Sequence, residues 1–189
     1  MQIYDKVGSS YDAMRSQIGV KAILDEVASL GKDIKVLDLG CGTGHPIAKA
    51  VSPIVQDYCG IDSSQSMLDG YLKNVHDASC RLLDMVDIDQ ITGKWDFIFS
   101  WGAMCHLPIE KQKKTMKAAC NLLKPGGRFL FTSGKESGER DGTVGEYIVH
   151  HYSMGRSAYI KFLTEQGMKC IHASYGEGDF YVYKFMKQT

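Results

Sequence analysis

The densest concentration of chemically usable residues is the segment VLDLGCGTG at positions 36–44. An apolar run stops at Asp38 and Leu39 and enters Gly40, Cys41, Gly42, Thr43 and Gly44. Glycines at alternate positions after a strand let the backbone turn at positive φ and leave no Cβ between it and a ligand. The chemistry implied is capture of a nucleotide-type ligand where a strand passes into a helix. A dinucleotide fingerprint would need a third glycine at position 45, where His45 stands, so the pattern is G-x-G-x-G. Asp62 lies about 20 residues beyond the loop, where a carboxylate accepts ribose hydroxyls; its alternative role is to cap a helix.

Two further groups carry proton or aromatic chemistry. Trp101 and His106 follow the run WDFIFS, and His106 directly precedes Leu107 and Pro108. Trp101 reads either as a cover over a ligand or as a core aromatic. His106 reads as a base or as a structural histidine near a helix start. Tyr147, His150, His151 and Tyr152 form a later cluster. Adjacent histidines point in different directions on a helix or a strand, so both do not readily bind one metal. With no metal-ligand spacing evident, metal independence is expected.

The elements that must position these residues alternate between short apolar strands and helical patterns, as in a parallel sheet covered on both faces. A first helix is predicted over about residues 11–30, with Gly31 as its cap. Strands follow at about residues 34–39, 55–61, 81–83, 95–100 and 128–133. Pro53 is read as ending the short helix after the glycine loop, Ser64 as capping the next one, and Pro108 as sitting in the first turn of a third. Residues 134–145 are Gly- and charge-rich and read as a mobile loop. A helix at about 156–166 and two antiparallel strands, near 168–175 and 180–186, complete the chain.

Bulk properties narrow the function classes. A length of 189 residues suits one domain, and Lys+Arg equals Asp+Glu at 22 each. A nucleic-acid binder usually carries a basic excess, so no nucleic-acid partner is expected. The 6 cysteines show no C-x-x-C pairing, which favours free thiols and a cytoplasmic location over a disulfide framework. No signal-peptide pattern opens the chain, and no apolar run approaches the roughly 18 residues of a membrane span.

From residue 36 to the C-terminus the sequence resembles the class I S-adenosylmethionine-dependent methyltransferases. VLDLGCGTG is similar to their first motif, GIDSSQSML at 60–68 to the second, DFIFSWGAMCHLP at 96–108 to the fourth, and LLKPGGRFLF at 122–131 to their turn and fifth strand. The resemblance implies a doubly wound, mostly parallel α/β sheet of seven strands with the last antiparallel. It implies a helical lid at 1–30, a cofactor core at 31–135 and an acceptor side at 136–189. S-adenosylmethionine is the implied cofactor, with Asp38 and the Gly40–Gly44 backbone at its methionyl end, Asp62 on the ribose and Asp84 with Met85 near the adenine. Ser63, Met67 and Trp101 belong to the same expected set, and Tyr4, Tyr11 and Arg15 are candidates to reach the cofactor's carboxylate, the alternative being core packing for the tyrosines and solvation for the arginine. His106, His151 and Tyr152 are the candidate catalytic or acceptor-facing residues, and a small molecule is the expected acceptor. The segment after the fourth strand lacks the Asn/Asp-Pro-Pro-Tyr/Phe pattern of many nucleic-acid amino methylases. A nicotinamide oxidoreductase, a nucleic-acid or protein methyltransferase, and a regulatory module without turnover are the competing readings.

Overall fold

The computed structural model describes residues 3–7, 12 and 16–189. The first half of the chain forms α1 (Ile3–Val7), α2 (Val20–Leu30), β1 (Lys35–Leu39), α3 (Ile47–Val51), β2 (Asp57–Asp62), α4 (Gln65–Asn74), β3 (Ser79–Leu82) and β4 (Trp95–Ser100). The second half forms α5 (Ile109–Leu122), β5 (Leu123–Ser133), β6 (Ser137–Val144), β7 (Tyr147–Met154), α6 (Arg156–Glu165), β8 (Met168–Tyr175) and β9 (Tyr181–Lys187).

Seven strands build one sheet in the order β3-β2-β1-β4-β5-β9-β8. The first five pair in parallel, and β9 runs antiparallel between β5 and β8. This is the α/β sheet of class I methyltransferases, as the sequence implied. Strand order reverses between β1 and β4, and in open sheets of this kind ligands bind beyond the carboxyl ends of the strands at that point.

The alternation of side chains along each strand decides which face is covered by what. On β4, Phe97 and Phe99 join the cluster under α2, α3 and α4, while Ile98 joins the one under α5 and α6. Both faces are therefore apolar, which is why these strands read as continuous apolar runs. Each of these fully buried side chains contributes about 1.5–3 kcal/mol relative to exposure. Glu26 on α2 is buried and accepts from Arg128 of β5, at 2.7 Å, and from Lys184 of β9. That pairing fixes α2 against two strands, because losing the carboxylate would leave two shielded cations unpaired.

Several expected boundaries move. Of the helix predicted over 11–30, Val20–Leu30 forms one helix and Asp12 is helical apart from it; Tyr11 and residues 13–15 lie outside the described residues. Gly19, at φ +95°, cannot continue a right-handed helix, so the periodic pattern ends there on its N-terminal side. Pro53 does not end α3, which stops at Val51; it lies in a single 3₁₀ turn that follows. Pro108 is the residue before α5 rather than inside its first turn. Residues 134–145 are not an irregular loop: β6 occupies 137–144 and pairs antiparallel with β7 in a separate two-stranded hairpin. Among the described residues no helix is long and apolar enough to cross a membrane. All six cysteines are free.

Candidate functional site

The glycine loop has the backbone its sequence demands. Gly40, Gly42 and Gly44 have φ of +82°, +55° and +74°. A Cβ on Gly40 would meet the Ala103 Cβ at 2.4 Å, so the loop can lie against the turn after β4 only without a side chain. Gly44 faces backwards instead, where a Cβ would meet Val75 and Tyr71 of the α4 layer.

Asp62 at the end of β2 ties this loop to the next. Its Oδ2 accepts from the Gly42 N–H at 2.9 Å and its Oδ1 from the Ser64 N–H at 2.9 Å. Ser64 caps α4 by accepting from the Met67 N–H, so capping falls to Ser64 and not to Asp62. A carboxylate has about four lone-pair sites, so Asp62 keeps capacity for a ligand hydroxyl beyond its backbone donors. Burial pushes Asp62 above the usual carboxylate range, against the lowering effect of its backbone donors. Asp84 is held similarly, its Oδ1 accepting from the Val86 N–H at 3.0 Å.

These groups line a cleft of about 320 Å³. Of the residues expected from sequence, Gly40, Cys41, Gly42, Asp62, Ser63, Met67, Asp84, Met85 and Trp101 lie on its wall, together with Tyr4, His45, Leu83 and Lys111. Asp38 and Gly44 do not. The Asp38 carboxylate accepts from the buried Tyr58 hydroxyl at 2.8 Å. Tyr11 and Arg15 lie outside the described residues. Trp101 is buried, lines the cleft and packs on Phe180 with ring centroids 5.5 Å apart.

A second, larger cavity of about 640 Å³ adjoins the cleft, and Tyr4, Gly102 and His106 belong to both walls. Its outer wall is the β6–β7 hairpin, which brings Arg140, Thr143, Val149, His151 and Tyr152 opposite the end of β5 and the β8–β9 turn. Strand alternation on β7 separates the adjacent histidines. His150 points outward to Asp141, while His151 faces the cavity. Tyr152 also lines the cavity, and its carbonyl accepts from Gln112 Nε2 at 3.0 Å.

His106 sits at the junction. Its Nδ1 lies 3.0 Å from the His150 carbonyl oxygen, which can only accept, so Nδ1 carries the proton. Nε2 therefore presents a lone pair, and the Tyr4 hydroxyl donates to it at 2.9 Å. Burial holds His106 below the ordinary histidine value. Burial likewise pushes the neighbouring Cys105 thiol up to about 11, and His151 is lowered by burial and then by His106 itself. Described residues of the N-terminus contact both sides of the junction. Tyr4 reaches His106, Asp5 accepts from Ser64, Lys6 lies 5.5 Å over the Tyr147 ring, and Asp12 accepts from Thr43 and Asn74.

Residues 14–176 match a family model described as a methyltransferase domain. The chain belongs to this family. Among solved structures, the methyltransferase is similar to CcbJ of Streptomyces caelestis, with a TM-score of 0.80, 19% identity and 98% of each chain covered. It is similar also to the S-adenosylmethionine-bound amino pentose methyltransferase of Micromonospora echinaspora, with a TM-score of 0.77 and 14% identity, over 100% of this chain and 98% of that one. A third similar structure is the magnesium protoporphyrin IX methyltransferase of Synechocystis PCC 6803 with bound S-adenosylmethionine, with a TM-score of 0.70 and 14% identity, over 100% and 86%. An uncharacterised protein of Rickettsia prowazekii is 26% identical over 124 residues, 62% of this chain, which span half of that relative's length.

Sequence reasoning missed several residues that the methyltransferase brings to its two cavities. His45, counted only as a missing glycine, lines the cleft. Lys111 reaches it from the first turn of α5. Arg140 and Thr143 were lost with the misread loop. Their only signal was the pairing partner at 147–152, whose β-branched and aromatic residues mark a strand that needs a neighbour.

Proposed function

We propose that this methyltransferase moves the methyl group of S-adenosylmethionine to a small-molecule acceptor held in the larger cavity. The observation that carries the reading is the junction at Tyr4, Gly102 and His106, where a donor site and an acceptor site can face each other. Bound S-adenosylmethionine supplies an electrophilic methyl carbon on its sulfonium. The cleft suits it: Asp62 keeps lone pairs for ribose hydroxyls, the bare Gly40–Gly42 backbone admits close approach, and Met67, Leu83 and Met85 offer an apolar bed for a planar base.

In-line displacement asks the protein to align the two reactants and exclude water. The hairpin and Tyr4 bound the acceptor side, and Trp101 and Met85 wall the donor side. His106 Nε2 is the lone pair nearest the junction. Once the Tyr4 hydroxyl yields its place, Nε2 receives the acceptor proton, with Nδ1–H anchored on the His150 carbonyl. His151 and Tyr152 contact the acceptor from the hairpin. A small acceptor fits a cavity bounded by charged Arg140, Glu139 and Asp179 and aromatic Tyr175, Phe180 and Tyr181. The balanced charge of the chain supports the same choice over a polyanion.

Titration calorimetry with S-adenosylmethionine and with S-adenosylhomocysteine tests the donor assignment; heat from neither ligand would end it. A small-molecule acceptor panel monitored by S-adenosylhomocysteine release tests the acceptor class. Salt-sensitive gel shifts with RNA or DNA at low salt would replace that class with a nucleic acid.

A further inference from the structure

The wall of the larger cavity holds three metal-ligand side chains from two elements far apart in sequence. Cys105 and His106 lie in the turn after β4 and His151 on β7, and one donor atom of each lies within 4.8 Å of the others. The two imidazole rings are 4.6 Å apart between centroids, tilted by 39°. The surroundings are those of a metal site. His106 already gives its Nδ1–H to a backbone carbonyl, the second-shell bond that orients most ligating histidines. His151 Nδ1 is buried and makes no well-formed hydrogen bond, the Arg140 backbone being its nearest polar neighbour in effect. Gly142 on the facing strand makes room for this ring, since a Cβ would meet His151 Cε1 at 2.6 Å.

We propose that Cys105, His106 and His151 bind a thiophilic divalent cation of the zinc class, leaving the fourth position open to the larger cavity. A thiolate with two neutral imidazoles prefers zinc, copper or cobalt to magnesium or calcium. Three protein ligands and one open position mark a reactive rather than a structural site. Tetrahedral zinc at about 2.0–2.3 Å from each donor draws the donors to about 3.5 Å from one another, a closing of about 1 Å in which the Tyr4 hydroxyl gives up its bond to His106 Nε2. Binding releases the Cys105 thiol proton to solvent, and the filled site carries a net charge of one positive unit. The set replaces the metal independence expected from linear spacing, because the third ligand arrives only through the hairpin. One consequence rests on the proposed function: the His106 lone pair cannot hold a cation and receive a proton at once, so the cation inhibits methyl transfer.

Cobalt(II) titration of the reduced 189-residue chain tests the site. One equivalent should produce tetrahedral visible bands with a thiolate charge-transfer band, and zinc should displace both. Cys105→Ser should remove the charge-transfer band and weaken binding by more than about 100-fold, exceeding the loss typical of second-shell changes. His151→Gln should weaken binding yet keep that band, and Cys170→Ser should change nothing. No stoichiometric cobalt spectrum in the parent chain, or a charge-transfer band that survives Cys105→Ser, overturns the proposal. Stoichiometric cobalt binding without loss of turnover would uphold the site and remove His106 as the base.

Discussion

The two cavities are built by opposite means. The smaller cleft is assembled from short segments at the carboxyl ends of neighbouring parallel strands, and its polar atoms are tied by backbone bonds such as Gly42 N–H to Asp62 and Val86 N–H to Asp84. The larger cavity depends on a hairpin outside the main sheet, whose strand β6 is almost wholly exposed. The first is rigid because the sheet itself fixes it. The second borrows its shape from long-range docking, through contacts such as His106 to the His150 carbonyl and Gln112 to the Tyr152 carbonyl. The invariant chemistry of a methyl donor suits the first construction, and a variable acceptor suits the second.

This contrast predicts that changes on one side leave the other intact. The largest effect is expected from His106→Gln, which should lower kcat by about 100-fold or more while cofactor Kd moves less than about twofold. Stopped-flow turnover with parallel calorimetry checks it, and equal losses in both quantities would break the distinction. Asp62→Ala should act in reverse. Losing an acceptor that serves both loops and ribose should raise cofactor Kd by about 10–100-fold, with kcat largely restored at saturating cofactor. Gly142→Val should drive a side chain into His151 and raise the acceptor KM by about tenfold without changing cofactor affinity. The smallest expected effect is a pH dependence. Because burial raises the Asp62 value, its protonation on acidification begins above the ordinary 3.8, and a protonated carboxyl loses acceptor capacity. Cofactor affinity should therefore weaken as pH falls while still above 3.8, and Asp62→Asn should flatten that dependence.

Much of the smaller cleft was legible because its signals are local. The strand-to-loop transition at Asp38–Gly44, the position of Asp62 and the Ser64 cap each depend on a few consecutive residues. Asp38 shows the limit of that legibility. Its place in the motif drew it into the site, yet its carboxylate accepts from the Tyr58 hydroxyl. The larger cavity was misread for a different reason. The segment SGERDGTV lacks the alternating apolar face of a half-buried strand, so composition alone favoured a loop. Its strand character comes from the ladder with Tyr147–Met154, a partner that no local window contains.

The sequence by itself determined the α/β class, the parallel order of its apolar runs and the glycine loop, since strand alternation, helical periodicity and positive-φ glycines are written in neighbouring residues. Only the tertiary structure decided that His106 carries its proton on Nδ1, that Tyr4 covers its lone pair, and that Cys105, His106 and His151 meet at one wall. Those relations join residues brought together by sheet order and by a docked hairpin, and a hydrogen bond or ligand set across such distances exists only once the chain has packed.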